Sequence, residues 1–149
     1  MPNRISTALA VAFLLLAGSA TAALAQGPSA DKPAYSEYKG VTIGVTTEAA
    51  RKLLGSPSDK SDMQDSYSLP NDETAMLFYD ATHKVTAISI MYAGKTAPTS
   101  KTILGEEVAP KPDGSQYKLI RFPKAGYWVS YSRSAGDSPL TVVTMQKIE

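Results

Sequence analysis

From Ser66 onward the chain is written in a period of two. Ser66-Tyr67-Ser68-Leu69 alternates and stops at Pro70-Asn71-Asp72. Ala75 to Asp80 and Val85 to Tyr92 follow, joined by the polar turn Asp80-Ala81-Thr82-His83-Lys84. After a linker from Gly94 to Ser100 come Gln116 to Phe122, Tyr127 to Ser132 and Leu140 to Ile148. Such alternation marks pleated strands, whose successive side chains face opposite sides. Helical spacing is scarce by comparison. Ala49, Ala50, Leu53 and Leu54 make one stripe on a short helix that Thr46 or Thr47 caps and that Gly55 and Pro57 end. Thr99 to Leu104 reads equally as a second helix or, with β-branched Thr102 and Ile103, as one arm of a hairpin. The expectation is an α+β fold: an antiparallel sheet of about six strands with one or two short helices on one face.

That expectation has a consequence for the other face. In Tyr127 to Ser132, alternation sets Trp128, the only tryptophan, beside Ser130 and Ser132. Ile88, Ile90 and Tyr92 share one side of their strand, with Val85, Ala87 and Met91 on the other; Leu77 and Tyr79 part in the same way from Met76 and Phe78. Val143 and Met145 are read as continuing the second set. Both faces are therefore partly apolar, while the helices suffice to roof one. Two readings stay open. The uncovered side exposes apolar and aromatic groups as partner surfaces do, with Trp128, Phe78, Met76, Met91 and Met145 as the binding residues. Alternatively the halves fold onto each other, or a loop such as Gly105 to Ser115 covers that side, and Trp128 is ordinary core.

The N-terminus predicts export. Arg4 precedes an apolar run from Ala8 to Ala17, far short of the roughly 20 residues a bilayer span needs. Ala23-Leu24-Ala25 ahead of Gln26 is the small-x-small pattern of signal peptidase, so residues 1–25 read as a signal peptide. Cleavage removes Arg4, one of 15 cations, and none of the 14 acids, which leaves a formally neutral mature chain. Gln26 stands where a lipoprotein would carry its acylated cysteine, so no membrane anchor is expected and the product is soluble in a periplasm or secreted. Residues 26–39, with Gly27, Pro28, Ser29 and Pro33, read as a flexible leader before a single domain over residues 40–149.

Composition removes most chemistry. Without basic tail or arginine run, a phosphate-backbone partner has nothing to attract it. Zero cysteines exclude disulfides, thiolate metal sites and a cysteine nucleophile. The single histidine, His83, lies in a polar turn, and the Ser-x-x-Lys at Ser29 to Lys32 has no helix to align it. Asp59, Asp62 and Asp65 recur at threes but lack the glycine turn and closing glutamate of a calcium loop. No enzyme, cofactor or metal is expected. The function read here is a non-enzymatic interaction module that docks another envelope or secreted protein across its sheet. The alternative is a small-ligand or glycan binder in which Trp128, Tyr127 and Tyr131 line a groove.

The two halves also lie over each other. Leu54-Gly55 answers Leu104-Gly105, Leu69-Pro70 answers Phe122-Pro123, and Phe78-Tyr79 answers Ser130-Tyr131, as in a tandem repeat of helix plus three strands over 40–93 and 99–149. The segment Ile43-Gly44-Val45-Thr46-Thr47-Glu48, followed by Leu54-Gly55-Ser56-Pro57 and three strands, resembles the SmpA/OmlA-type domain of the small outer-membrane assembly lipoprotein and the related tandem modules of the β-lactamase-inhibitor protein. The resemblance covers about Gly40 to Tyr92. It implies a non-enzymatic α+β module working through protein contacts, although the lipid-bearing cysteine of that family is absent here.

Overall fold

The computed structural model describes residues 32–94 and 96–149. The expected signal peptide and its cleavage after Ala25 lie outside them. Helix α1 (Thr47–Leu54) precedes strands β1 (Asp59–Lys60), β2 (Gln64–Leu69), β3 (Glu73–Tyr79) and β4 (Val85–Ala93). Helix α2 (Ser100–Leu104) then precedes β5 (Gln116–Phe122), β6 (Tyr127–Arg133) and β7 (Leu140–Lys147). The strands form one antiparallel sheet ordered β1-β2-β3-β4-β7-β6-β5. The expected architecture, about six strands with helices on one face, is corrected by this result: the described residues form mostly a sheet of seven strands, and helix makes up 11% of them. The additional strand, β1, is two charged residues with no alternation to betray it. Backbone pairing of Asp59 with Ser66 and of Lys60 with Asp65 alone creates it.

The helices are brief because their stops are strong. Thr46 Oγ1 accepts from Ala49 N at 3.2 Å to start α1, and Gly55, at φ 87°, ends it. Thr99 caps α2 through Thr102 N, and Gly105, left-handed at φ 80°, closes it after five residues, so the open choice over Thr99 to Leu104 resolves to a helix. The stripe expected on α1 is also shifted. Thr47 and Ala50 are buried and Leu54 half-buried, whereas Ala49 is exposed and Leu53 is 53% exposed.

With so little helix, extended chain supplies much of the cover over the buried face. Tyr38 and Val41 pair through reciprocal backbone hydrogen bonds of 2.9 and 2.8 Å and join the core, with Tyr35, Ile43 and Val45 packed against it. Gly44 N donates to Val85 O and Val85 N to Val45 O, both at 2.8 Å, which ties this strap to the start of β4. The leader expected to run flexibly to Lys39 is thus ordered over its last residues. Tyr38 donates to Glu73 Oε1, Lys39 Nζ lies 3.7 Å from the same oxygen, and Tyr127 donates to Tyr35 O at 3.4 Å. Val108 performs the same covering for the second half, its N–H bonded to buried Ser100 Oγ at 3.0 Å. Beneath this layer Leu77, Ile88, Ile90, Val129, Val143 and Met145 are fully shielded. Each such side chain contributes about 1.5–3 kcal/mol on leaving water.

Candidate functional site

The face of the sheet opposite that core carries no second layer among the described residues. Register places its side chains in three rows, because residues directly opposite on antiparallel strands point to the same side. One row runs Gln64, Phe78, Ala87, Gln146, Trp128 and Arg121 from β2 to β5. The next runs Ser66, Met76, Ser89, Thr144, Ser130 and Leu119, with Asp59 of β1 beyond Ser66. The third runs Ser68, Thr74, Met91, Val142, Ser132 and Tyr117. Apart from Ala87, which its neighbours shield, every one of these is half-buried or exposed.

Trp128, Phe78, Met76 and Met91 therefore do share the open face. Trp128, Phe78 and Met76 are half-buried, and Met91 is 41% exposed. Met145 does not join them. Register sets it opposite Ile88 and Val129, and it is 0% exposed in the core. Val143 lies inside with it, so the structure reverses the phase expected for this strand; Val142, Thr144 and Gln146 are what β7 shows on the open side. Val85 also crosses over. A bulge between Phe78 and Tyr79 pairs Tyr79 with Val85 and leaves Thr86 unpaired, which turns Val85 into the core and gives Thr86 and Ala87 to the open side. The groove of Trp128, Tyr127 and Tyr131 does not form: Tyr127 and Tyr131 are buried on the opposite face from Trp128.

The open face is not flat. Met76, Phe78, Thr86, Ala87, Ser89, Thr144 and Gln146 line a hollow of about 410 Å³. Its floor is made of small side chains on β4 and β7, where Ser89 Oγ and Thr144 Oγ1 share a hydrogen bond of 3.2 Å. Phe78 and Met76 on β3 stand on one side, and Trp128 on β6 stands beyond Gln146 on the other. Charge is confined to the edges of the three rows, Arg121 on β5 and Asp59 on β1, both exposed. The middle of the face offers hydroxyls, amides, thioethers and aromatic rings.

The other candidates resolve differently. His83 is exposed in a left-handed turn position, φ 57°, organised by Asp80 Oδ1, which accepts from Thr82 N, Thr82 Oγ1 and Lys84 N. It lies at a depression of about 380 Å³ with Thr46, Thr47, Glu48, Arg51, Asp62 and Thr82, but the Thr47 hydroxyl there is committed to His83 O at 3.1 Å. Asp65 is drawn away from Asp59 and Asp62: it is buried on β2 and bonded to Arg51 Nε and Nη2, both at 2.8 Å. No group of three or more His, Cys, Asp or Glu able to hold a metal exists among the described residues, and no helix there is long and apolar enough to cross a membrane. What sequence reasoning missed is the hollow and the charged edges. The hollow follows from small residues, Ala87, Ser89 and Thr144, that come opposite one another only once register is known.

No protein family model matches the chain, and no curated protein matches it. Among solved structures it is similar to a DUF4309 family protein (YjgB) from Bacillus subtilis subsp. subtilis str. 168. The identity is 15% and the TM-score 0.49, with 74% of this chain and 84% of that chain covered. A likeness of that depth carries no argument about what this chain does.

Proposed function

We propose that the chain is an exported, non-enzymatic interaction module that docks an envelope or secreted protein across the open face of its sheet. The observation that carries this reading is the side of β2 to β7 that no layer of the described residues covers, with Trp128, Phe78, Met76 and Met91 on it and charge kept to its edges. Aromatic residues and methionine are enriched where protein interfaces are buried, and charged residues are depleted there. Six strands at about 4.8 Å and about seven residues at 3.4 Å outline roughly 700 Å². A standard protein interface takes roughly 800 Å² from each partner, so the whole face suits a protein better than a small ligand. Arg4, the apolar run from Ala8 and Ala23-Leu24-Ala25 support export to a periplasm or medium. The SmpA/OmlA-type resemblance of Gly40 to Tyr92 supports work through protein contacts.

The test is capture from an envelope extract with tagged wild type and tagged Trp128→Ala, the captured proteins being identified by mass spectrometry. The expected outcome is one protein held by the wild type and lost from the variant. Capture that ignores the substitution, or a wild type that holds no protein at all, a second copy of itself included, overturns the reading.

A further inference from the structure

We infer that the occupant of the open face is a second copy of this chain, packed sheet to sheet about a two-fold axis that runs along the strands between β4 and β7. The inference rests on the docking reading above and names its partner. Three features of the face converge on it.

Charge comes first. In a two-fold interface the same patch meets itself, so any charge at its centre faces its own sign. The centre here has none. The charges of the three rows sit at opposite edges and are opposite in sign, Arg121 on β5 and Asp59 on β1. An axis along the strands lays β5 of one copy over β2 of the other, with β1 next to it, and so carries each Arg121 toward Asp59 of the second copy. An axis across the strands would lay β5 on β5 and keep both arginines on one edge, the width of the sheet away from either Asp59.

Register selects the same axis. β3 and β6 are equally far from the line between β4 and β7. Rotation about that line sets Trp128 over Phe78 of the second copy, beside the hollow that Phe78 and Met76 border. In the same arrangement Gln146 meets Ala87, Leu119 meets Ser66, and Tyr117 meets Ser68, large side chains over small ones. Extent is the third feature: the outlined face comes close to what each partner of a stable dimer contributes, and aligned sheets pack about 10 Å apart on such faces.

Two measurements on the purified exported chain decide the matter. Sedimentation is expected to give a dimer for the wild type. Thr144→Arg, which places two arginines against each other near the axis, should weaken that dimer more than about a hundredfold, given the several kcal/mol that like charges lose on contact. Its far-UV dichroism should match wild type. Because the chain has no cysteine, Ser130→Cys combined with Met76→Cys gives a clean trap. The two positions are about 14 Å apart in one chain, at three strand spacings, and the proposed packing sets them opposite each other across the roughly 10 Å between sheets, a gap too wide for a direct disulfide. A short bis-maleimide that reaches across that gap, but not between the two sites of one chain, should link two chains covalently. A monomeric wild type, a dimer that survives Thr144→Arg, or absence of the crosslink each overturns self-docking. If the wild type is monomeric and yet captures a different protein through Trp128, the docking reading stands while the second copy falls.

Discussion

Four donors converge on one carboxylate that has no exposure to water. Asp65 accepts from Arg51 Nε and Nη2 at 2.8 Å, from Tyr79 Oη at 2.6 Å and from Tyr67 Oη at 3.4 Å. Burial pushes its pKa up, but the hydrogen bonds from Arg51 and Tyr79 and the Arg51 charge outweigh that and hold it below the ordinary 3.8. The same burial, with the Asp65 charge, raises the Tyr67 phenol to about 12. The pair thus ties α1 to the covered face of β2, a join that α1, with Thr47 and Ala50 as its buried residues, makes weakly through apolar contact alone. Removing one partner of a buried ion pair strands the other, at a loss of about 3 kcal/mol. Arg51→Ala should destabilise the fold by that order at pH 7. Because the folded pKa of Asp65 is depressed, the stabilisation is complete above the unfolded value near 3.8 and is lost as pH falls through the folded one. Urea denaturation of wild type and Arg51→Ala should accordingly show a gap at pH 7 that narrows toward pH 2. A gap of constant size would mean that Arg51 acts by packing and not by charge.

At the scale of elements, the sheet's strands differ in how much of their placement alternation alone decides. β5 runs from Gln116 to Phe122, where the alternation put it. β7 carries apolar residues on both sides, Leu140 and Val142 against Val143 and Met145, so either phase satisfies the pattern. Only pairing of Met145 with Ile88 sets the side. Substituting Met145→Ala should cost about 2–5 kcal/mol, as truncation of a buried methionine does, while Met91→Ala on the open face should stay within about 0.5 kcal/mol. Thermal unfolding of the two variants checks the phase directly, and equal losses would reverse it. The rest of what the chain concealed has the same root. Asp65 looked like one of a set of spaced acids, because the arginine that neutralises it lies 14 residues earlier on another element. Val85 changed sides through a bulge that no pattern announces. That Trp128, Phe78 and Met76 share the open face was legible because period two fixes a side within each strand. The hollow between them depends on which strands are neighbours, which is a property of the assembled sheet.

Across the whole molecule, α1 is followed by a four-stranded meander, β1 to β4, and α2 by a three-stranded one, β5 to β7, and the two meanders meet where β4 pairs with β7. That seam runs from Ala87 with Gln146 to Ala93 with Leu140, and on its covered side Ile88 faces Met145 and Ile90 faces Val143, all fully buried. A single core cluster crosses it, holding Tyr38 and Ala50 from one half with Ile103 and Phe122 from the other. Splitting the chain there would leave β4, nine residues long, as an open apolar edge, the kind of strand that pairs indiscriminately. The two halves should therefore unfold as one unit. Urea unfolding followed by fluorescence of Trp128, which belongs to the second half, should coincide with far-UV dichroism, to which both halves contribute. Residues 40–93 produced alone should not fold. Two separated midpoints, or a cooperatively melting 40–93 fragment, would show the halves to be independent domains. The same experiment bears on the open face, since a dimer closed over it makes the shared midpoint rise with protein concentration, whereas a monomer's midpoint does not move.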